Sequence, residues 1–311
     1  MAQLPEVSPL PGLTPEVRIY EVGPRDGLQA EATVLPLATK LELLHRLSDS
    51  GLTAIEATSF VSPRRVPQMA DAEAVLTGLQ RRAGVRYPVL VPNLTGLDRA
   101  LGAGAEEVAV FVSATERFAA ENLGTTLAGA LASAGAVLER AAALGLRTRG
   151  YVSMCFGDPW EGHVDPARVA VVAAQLVELG CTTVSLGDTI GVATAGQVVR
   201  VLAAVTGAGV GADQIALHFH DTYGQALANV LSGLEHGVRE FDASAGGLGG
   251  CPFARSASGN LATEDLLWLL IGLGVETGVD LGAVAGTSAW LAGELGRPCP
   301  SRVVTALGSV G

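Results

Sequence analysis

The sequence predicts a (β/α)8 barrel, an α/β fold of the TIM-barrel type, followed by a short C-terminal helical extension. Short runs rich in β-branched residues alternate with longer Ala/Leu-rich amphipathic stretches, as expected for strands and helices that follow one another in turn. Polar residues gather directly after the strands, where such barrels build their active sites. A doubly wound open sheet is the alternative, but no G-x-G-x-x-G follows the first strand to support a dinucleotide site.

Eight segments have the composition of buried parallel strands, each a short apolar run with a helical pattern after it. A chain of 311 residues can form one such barrel, so residues 16–311 are expected to be a single catalytic domain that includes the C-terminal helices. The proline-rich, aperiodic residues 1–15 are expected to be a flexible leader. The predicted strands are Val17–Val22, Ala54–Ala57, Tyr87–Val91, Glu107–Val112, Thr148–Ser153, Thr183–Leu186, Ile215–Phe219 and Glu240–Ala243.

Helices are predicted between these strands from their periodicity and their end signals. The stretch "LATKLELLHRLSDSG" after strand one ends on Gly51, a residue suited to a helix C-terminus. Alanine-rich Leu127–Leu144 follows strand four, and "DPARVAVVAAQLVELG" after strand five opens on an Asp-Pro start signal. Each helix leads back to the start of the next strand, as a parallel barrel requires.

Composition narrows the class of partner. A net charge of −11 and the absence of any Lys/Arg-rich run argue against nucleic acid or an anionic membrane, which leaves a small molecule as the expected partner. The cysteines Cys155, Cys181, Cys251 and Cys299 show no C-x-x-C spacing, and no secretory signal pattern is present. We therefore expect reduced thiols in a cytoplasmic protein.

Strand seven carries the motif "IALHFHDTYG", which contains two of the five histidines. Alternate residues of a strand face the same side, so His218 and His220 are expected to project together. Two neutral imidazoles side by side suggest a metal site, although a pair of hydrogen-bonded structural histidines is an alternative for an isolated H-x-H.

Further polar residues follow other strands and are expected to converge on the same rim. Arg25 and Asp26 follow strand one, Glu56 ends strand two, Asp188 follows strand six and Asn260 follows strand eight. Structural alternatives remain for several of them. Arg25 could form an ion pair with Glu56 or Asp188, Asp26 could be a loop carboxylate or helix cap, and Asn260 could be an ordinary residue at a helix N-terminus.

Cys251 lies in the glycine-rich run "GGLGGCPF", which permits unusual backbone angles and a mobile loop. A buried cysteine is usually inert packing, but such a loop is a poor place for packing, so a reactive thiol is favoured. Imidazole, carboxylate and amide ligands form a mixed N/O set suited to Mg²⁺ or Mn²⁺. The single lysine, Lys40, lies within a predicted outer helix, which excludes a Schiff-base aldolase.

Five stretches together resemble the motifs of the 3-hydroxy-3-methylglutaryl-CoA (HMG-CoA) lyase family, in order from about Val17 to Gly278. They are "EVGPRDGLQAE", "EATSFVSPRRVPQMAD", "SLGDTIGVATAGQV", "HFHDTYGQALANV" and "GGLGGCPFARSASGNLATEDLLWLL". The wider superfamily of metal-dependent barrel lyases and Claisen-type synthases shares the R-D-G-x-Q start and the H-x-H. "GPRDGLQ" and "GLGGCPFA" resemble the lyase branch in particular.

The resemblance implies a retro-Claisen cleavage of HMG-CoA to acetyl-CoA and acetoacetate by a homodimer or homotetramer, in leucine degradation and ketone-body metabolism. Its implied metal ligands for Mg²⁺ or Mn²⁺ are Asp26, His218, His220 and Asn260. Arg25 would neutralise the enolate, Cys251 would act as general acid–base, and Asp188 and Glu56 would assist proton transfer or hold Arg25 and the metal in register. The implied substrate-binding residues are Gln29, Arg64, Ser185 and Thr189.

The chain departs from the family pattern at several positions. Asp158 and Trp160 stand in "GDPWEG" where the family usually has "GCPYEG", and Arg64, Ala32 and the segment 119–121 replace residues that are often lysines. These changes weaken the contacts to the CoA phosphates that the resemblance implies. The acyl group could therefore differ, for instance in a longer branched 3-hydroxyglutaryl-CoA. A Claisen-type synthase acting on a 2-oxo acid and a non-enzymatic metal-binding barrel are the remaining alternatives.

Overall fold

A computed structural model describes residues 5–250 and 259–308. Its single sheet is entirely parallel, with the strand order β2-β1-β9-β8-β7-β6-β5-β4-β3. The strands are β1 (Arg18–Glu21), β2 (Ala54–Ile55), β3 (Thr58–Ser59), β4 (Val89–Leu90), β5 (Glu107–Ser113), β6 (Arg147–Ser153), β7 (Thr183–Asp188), β8 (Ile215–Phe219) and β9 (Glu240–Ala243).

The two edge strands of this order are halves of one barrel strand. β2 pairs with β1 and β3 pairs with β4, while only Glu56 and Ala57 separate β2 from β3 along the chain. Glu56 N donates to Glu21 O at 2.8 Å, and Ala57 N donates to Pro88 O at 2.9 Å. The sheet therefore closes on itself as a barrel of eight strands, and every predicted strand is confirmed with shifts of a few residues at its ends.

Helices surround the barrel and extend beyond it at the C-terminus. The first helix after β9 completes the eighth strand–helix unit, and the last two helices form a short C-terminal extension. The helices are α1 (Leu37–Asp49), α2 (Ala72–Gly78), α3 (Leu94–Gly102), α4 (Glu116–Phe118), α5 (Leu127–Ala143), α6 (Pro166–Glu178), α7 (Ala195–Gly207), α8 (Ala226–Glu235), α9 (Thr263–Gly272), α10 (Leu281–Leu295) and α11 (Arg302–Gly308).

The predicted end signals of α1 and α6 operate in the structure. Gly51, just beyond α1, has a φ of +94°, in the left-handed region that glycine adopts without a Cβ penalty. Asp165 caps α6 by accepting a hydrogen bond from Ala167 N at 2.9 Å, and Pro166 supplies the first helical residue, where its missing N–H costs nothing.

The apolar core has two parts. The larger part lies between the outer faces of the strands and the helices and contains side chains such as Leu43, Val110 and Phe241. The smaller part lies inside the barrel and contains Tyr20 and Tyr151. The barrel interior is thus lined by aromatic rings that also meet the charged side chains of the site.

Segments outside the barrel are tied to it by backbone hydrogen bonds. Ser8 N donates to Gly272 O at 2.8 Å, and Glu276 N donates to Pro15 O at 2.8 Å. Residues 8–15 thus contact the end of α9, and whether residues 1–15 form a flexible leader stays a prediction. Across residues 5–250 and 259–308, the helices are all too short or too polar to cross a membrane.

The single lysine is a structural residue. Lys40 is buried in α1, where its Nζ donates to Gln68 O and to Asp71 Oδ1, both at 2.6 Å. It joins α1 to the segment that follows β3, which agrees with its predicted place outside any Schiff-base chemistry.

Candidate active site

A cluster of potential metal ligands lies at the C-terminal ends of β1 and β8. Asp26, His218 and His220 each offer one ligand atom, and these atoms lie within 4.8 Å of one another. Asp26 belongs to a π-helical turn, Gly23–Gly27, that leads out of β1. His218 is in β8 and His220 is the first residue after that strand. Strand alternation thus places the two imidazoles together as predicted, with ring centroids 5.2 Å apart.

The fourth predicted ligand, Asn260, joins this cluster through Asp26. Its Nδ2 donates to Asp26 Oδ2 at 2.8 Å and to Leu248 O at 2.9 Å, and its backbone forms an antiparallel bridge with His220. Its Oδ1 is buried and has no partner among the described residues, and the same holds for Nδ1 of His220. Buried polar atoms without partners are costly, so these two atoms are suited to bind a cation or another polar group.

The donor set fits a divalent cation. One carboxylate, two imidazoles and one amide oxygen make the mixed N/O set that Mg²⁺ or Mn²⁺ accepts with water and substrate in the remaining positions. Coordination by these residues stays a prediction, but the orphaned Asn260 Oδ1 is the observation that supports it.

The charges around the cluster suit a cation. Burial by itself would raise the pKa of Asp26, but Arg25 and the two histidines lower it to about 2, so its carboxylate is ionised. Burial and the neighbouring His218 lower the pKa of His220 to about 4, which keeps that imidazole neutral at pH 7. An ionised carboxylate and a neutral imidazole are the forms that bind metals.

The imidazole of His218 contacts the buried carboxylate of Asp242. Its Nδ1 lies 3.2 Å from Asp242 Oδ2, and the Tyr151 ring lies edge-on to the imidazole with centroids 6.4 Å apart. Asp242 also accepts a hydrogen bond from Ser185 Oγ at 2.9 Å and forms an ion pair with Arg149.

Arg25 is fixed between two carboxylates beside the cluster. Its Nε donates to Glu56 Oε2 at 2.5 Å and its Nη1 to Asp26 Oδ1 at 2.6 Å. Its guanidinium lies 5.2 Å from the centroid of the Tyr151 ring. The ion pair of Arg25 with Glu56 that the sequence allowed is therefore present. The guanidinium also contacts the cluster of potential metal ligands through Asp26.

Glu56 lies in the gap between β2 and β3 and is completely buried. Burial raises its pKa despite the adjacent Arg25. The Tyr151 hydroxyl donates to Oε2 at 3.2 Å, whereas Oε1 has no partner among the described residues. Its contacts support the predicted function of holding Arg25, because Oε2 accepts a hydrogen bond from Arg25 Nε.

Asp188 ends β7, and its carboxylate organises the next turn. Oδ1 accepts from Val192 N at 2.9 Å and Oδ2 accepts from Ala193 N at 3.0 Å. Burial raises the pKa of Asp188 to about 6, although these amides and His218 oppose the rise. A carboxyl group with a pKa near neutrality can exchange a proton at physiological pH.

The four residues predicted to bind substrate differ in burial and in their contacts. Gln29 is half-buried after the Asp26 turn, and Arg64 is exposed on the segment that follows β3. Thr189 Oγ1 accepts from Met154 N at 2.9 Å, and Ser185 is buried against Asp242. Substrate contacts by all four stay predictions, and Cys251 lies outside the described residues.

Two buried glutamates hold the start of the glycine-rich loop. Glu21 Oε1 accepts from Ala245 N at 2.9 Å, and Glu264 accepts from Gly246 N at 3.0 and 3.1 Å. Burial raises the pKa of each glutamate to about 7. These residues therefore fix the backbone that precedes Cys251, a function that the motifs did not reveal.

Asp158 builds its own turn where the family usually has cysteine. It accepts hydrogen bonds from Thr115 Oγ1 at 2.6 Å, Trp160 N at 2.7 Å and Glu161 N at 2.8 Å. A carboxylate with three donors is a structural anchor for this loop, so the departure has a physical explanation.

Comparisons with known proteins agree along the whole barrel. The family model described as HMGL-like matches residues 16–290. The chain is 50% identical over 296 residues to the mitochondrial hydroxymethylglutaryl-CoA lyase of Arabidopsis thaliana, covering 95% of this chain and 63% of that protein. It is 52% identical to the cytoplasmic 3-hydroxy-3-methylglutaryl-CoA lyase of Danio rerio, covering 95% of this chain and 88% of that one.

Solved structures are similar in fold and sequence. The hydroxymethylglutaryl-CoA lyase of Pseudomonas aeruginosa matches with a TM-score of 0.94 and 47% identity over 96% of this chain and 100% of that one. An HMG-CoA lyase of Acinetobacter baumannii in complex with coenzyme A and 3-methylmalate matches with a TM-score of 0.90 and 39% identity, covering 94% of this chain and 95% of that one.

Proposed function

The chain belongs to the HMGL-like family, and on that premise we propose that it cleaves 3-hydroxy-3-methylglutaryl-CoA to acetyl-CoA and acetoacetate. The reaction is a retro-Claisen cleavage that depends on a divalent metal. One observation carries the proposal: the predicted ligands Asp26, His218, His220 and Asn260 meet at one barrel rim, beside a buried arginine. Relatives bearing the lyase name, at about half identity over most of the chain, support it.

The cleavage makes two chemical demands. The tertiary hydroxyl must lose its proton so that its oxygen becomes the ketone of acetoacetate while the adjacent carbon–carbon bond breaks. The electron pair of that bond then forms the enolate of the acetyl thioester, and protonation at carbon gives acetyl-CoA. A cation bound by the four ligands would polarise the hydroxyl and a neighbouring oxygen of the substrate.

Arg25 would stabilise the enolate that forms on the acetyl thioester. Glu56 and Asp26 occupy Nε and Nη1, and no described residue occupies Nη2, which leaves that group for the enolate oxygen. A guanidinium held by two carboxylates is preorganised, so little reorganisation is needed as negative charge develops on the thioester.

Asp188 and Cys251 are the groups proposed for proton transfer. Asp188, with its pKa raised to about 6, would accept the hydroxyl proton, because a general base works best when its pKa is close to the working pH. Glu56 would position Arg25. Cys251, which follows the backbone that Glu264 fixes along the chain, would protonate the enolate carbon.

The proposed assembly and location extend the family assignment. Mg²⁺ or Mn²⁺ is proposed as the metal because no thiolate belongs to the described ligand cluster. A homodimer or homotetramer is proposed, and a cytoplasmic location is proposed although related lyases carry both cytoplasmic and mitochondrial names.

A longer branched 3-hydroxyglutaryl-CoA is the second candidate substrate. Beside the segments that follow β5 and β6 lies a cavity of about 600 Å³, whose walls include Glu116, Arg117, Ala120 and Glu161. The one cation among these four side chains, Arg117, forms an ion pair with Glu121. The segment 119–121, where lysines are common in the family, lies beside this cavity, so we propose that substrate contacts in this region differ from those of the family.

A coupled assay of acetoacetate release tests the proposal. HMG-CoA and a longer branched analogue are each supplied with Mn²⁺ and a thiol reductant, and an EDTA-treated sample serves as the control. Metal-dependent release from HMG-CoA is expected, and Arg25→Lys should lower kcat by about 10²–10³-fold because one ammonium does not reproduce the planar guanidinium. Turnover of only the longer thioester would correct the substrate. Silence on all thioesters would refute the proposed function.

A further inference from the structure

We infer that Asp242 is a positioning residue that sets the tautomer and orientation of His218, and that Arg149 fixes Asp242 for this purpose. This inference rests on the proposed metal site and adds two residues that are not ligands. Both side chains are buried inside the barrel, Arg149 at 2% and Asp242 at 2% relative exposure.

The two oxygens of Asp242 have separate partners. Oδ1 accepts from Arg149 Nη2, and Oδ2 accepts from Ser185 Oγ at 2.9 Å and faces His218 Nδ1 at 3.2 Å. Because a carboxylate oxygen accepts, the hydrogen bond to His218 requires a proton on Nδ1. The lone pair of the neutral imidazole is then on Nε2, the nitrogen left to bind a metal.

The guanidinium of Arg149 fixes the orientation of the Asp242 carboxylate. Its guanidinium forms ion pairs with Glu240 and Asp242 and lies 4.0 Å above the centroid of the Tyr20 ring. A guanidinium only donates, so the atom of residue 242 that faces it must be an acceptor. The position of Arg149 thereby fixes which oxygen of Asp242 remains for His218.

This constraint predicts what an amide would do at the same position. In Asp242→Asn, the amide oxygen must face Arg149, which leaves the amide NH₂ group toward His218 Nδ1. Nδ1 would then have to accept, so the proton of the neutral imidazole would move to Nε2. That tautomer has no lone pair on Nε2, although the size and shape of the side chain are nearly unchanged.

A matched control is available at a partly buried ion pair, Arg86–Glu107. Glu107, at the start of β5, accepts from Arg86 Nη1 with both oxygens at 2.7 Å and contacts no histidine among the described residues. Glu107→Gln is therefore the same carboxylate-to-amide change beside an arginine. It should reproduce any general effect of such a change without altering His218.

The experiment measures Mn²⁺ binding and the imidazole tautomer in the full chain. The Mn²⁺ dissociation constant, obtained from the electron paramagnetic resonance signal of free Mn²⁺, is expected to rise roughly 10- to 100-fold in Asp242→Asn. It should change less than about twofold in Glu107→Gln. Nitrogen NMR of the metal-free protein should show His218 protonated on Nδ1 in the wild type and on Nε2 in Asp242→Asn.

The outcomes separate this inference from the proposed function. Unchanged Mn²⁺ affinity in Asp242→Asn, or a wild-type His218 protonated on Nε2, would overturn the inference. Tight Mn²⁺ binding by the wild type and weaker binding by Asp242→Asn would support the inference. If the wild type then released no acetoacetate from any acyl-CoA, the proposed function would be refuted. If Asp242→Asn fails to fold, the wild-type NMR spectrum alone decides, since the Nδ1–H form is required.

Discussion

Replacing Glu264 by glutamine should change how the stability of the protein depends on pH. Glu264 is completely buried between Gly246 N and Ser288 Oγ, and burial raises its pKa from 4.5 to about 7. Because the folded state holds this proton more tightly than the unfolded state, the stabilising effect is fully present below pH 4.5. It is lost as the pH rises through about 7.

The size of the effect follows from the two pKa values. Moving from an unfolded pKa of 4.5 to a folded pKa of about 7 corresponds to about 2–3 kcal/mol of folding free energy lost between pH 5 and pH 8. Glutamine stays uncharged throughout this range and still presents an oxygen to Gly246 N. The variant should therefore lack this loss and become more stable than the wild type at pH 8.

Thermal unfolding at pH 5 and pH 8 measures this difference. The drop in Tm between the two pH values should be smaller in Glu264→Gln than in the wild type by roughly 3–5 °C. Glu178→Gln, which neutralises an exposed carboxylate on α6, serves as the control and should leave the wild-type drop in place. An equal drop in Glu264→Gln and the wild type would refute the assignment of this pH dependence to Glu264.

Three further changes test packing and the departure from the family. In Gly233→Ala, the new Cβ would lie 2.5 Å from Leu217 Cδ1, so a loss of about 1–3 kcal/mol in the free energy of unfolding is expected; an unchanged value would contradict this packing of α8. In Gly286→Ala, no atom lies within 4 Å of the new Cβ, so a gain of about 0.5–1 kcal/mol is expected; destabilisation would contradict it. Asp158→Ala leaves Thr115 Oγ1 and two backbone amides without their acceptor, which should cost about 1–3 kcal/mol by denaturant titration, whereas a neutral effect would show that the turn stands without its anchor.

The barrel could be predicted because its signal is periodic. Eight apolar runs separated by helical patterns determine the fold, and strand alternation alone brings His218 and His220 together. The break between β2 and β3 was not predicted, since the Ala54–Ala57 run shows no local breaker. It arises where Glu56 pairs with Arg25, a contact between residues 31 positions apart in the chain.

The supporting residues of the site were harder to predict than its ligands. Arg149, Glu240 and Asp242 are charged residues buried within β6 and β9, and buried charges of opposite sign indicate an ion-pair network. Their partners depend on the curvature of the barrel, which brings side chains of β6 and β9 together in one interior although β7 and β8 lie between these strands. The function of Glu264 was difficult to predict for a different reason. An acidic residue at a helix start ordinarily interacts favourably with the helix dipole and needs no further explanation.

One divalent metal held by Asp26, His218, His220 and Asn260 is predicted to be required for the carbon–carbon cleavage of HMG-CoA. The most direct test titrates Mn²⁺ into EDTA-treated protein while bound metal and acetoacetate release from HMG-CoA are followed in the same sample. Activity is predicted to rise in proportion to occupancy and to level off at about one Mn²⁺ per chain, with both signals weakened in Asp26→Asn. Full acetoacetate release before any Mn²⁺ is bound, or undiminished binding in Asp26→Asn, would contradict the account.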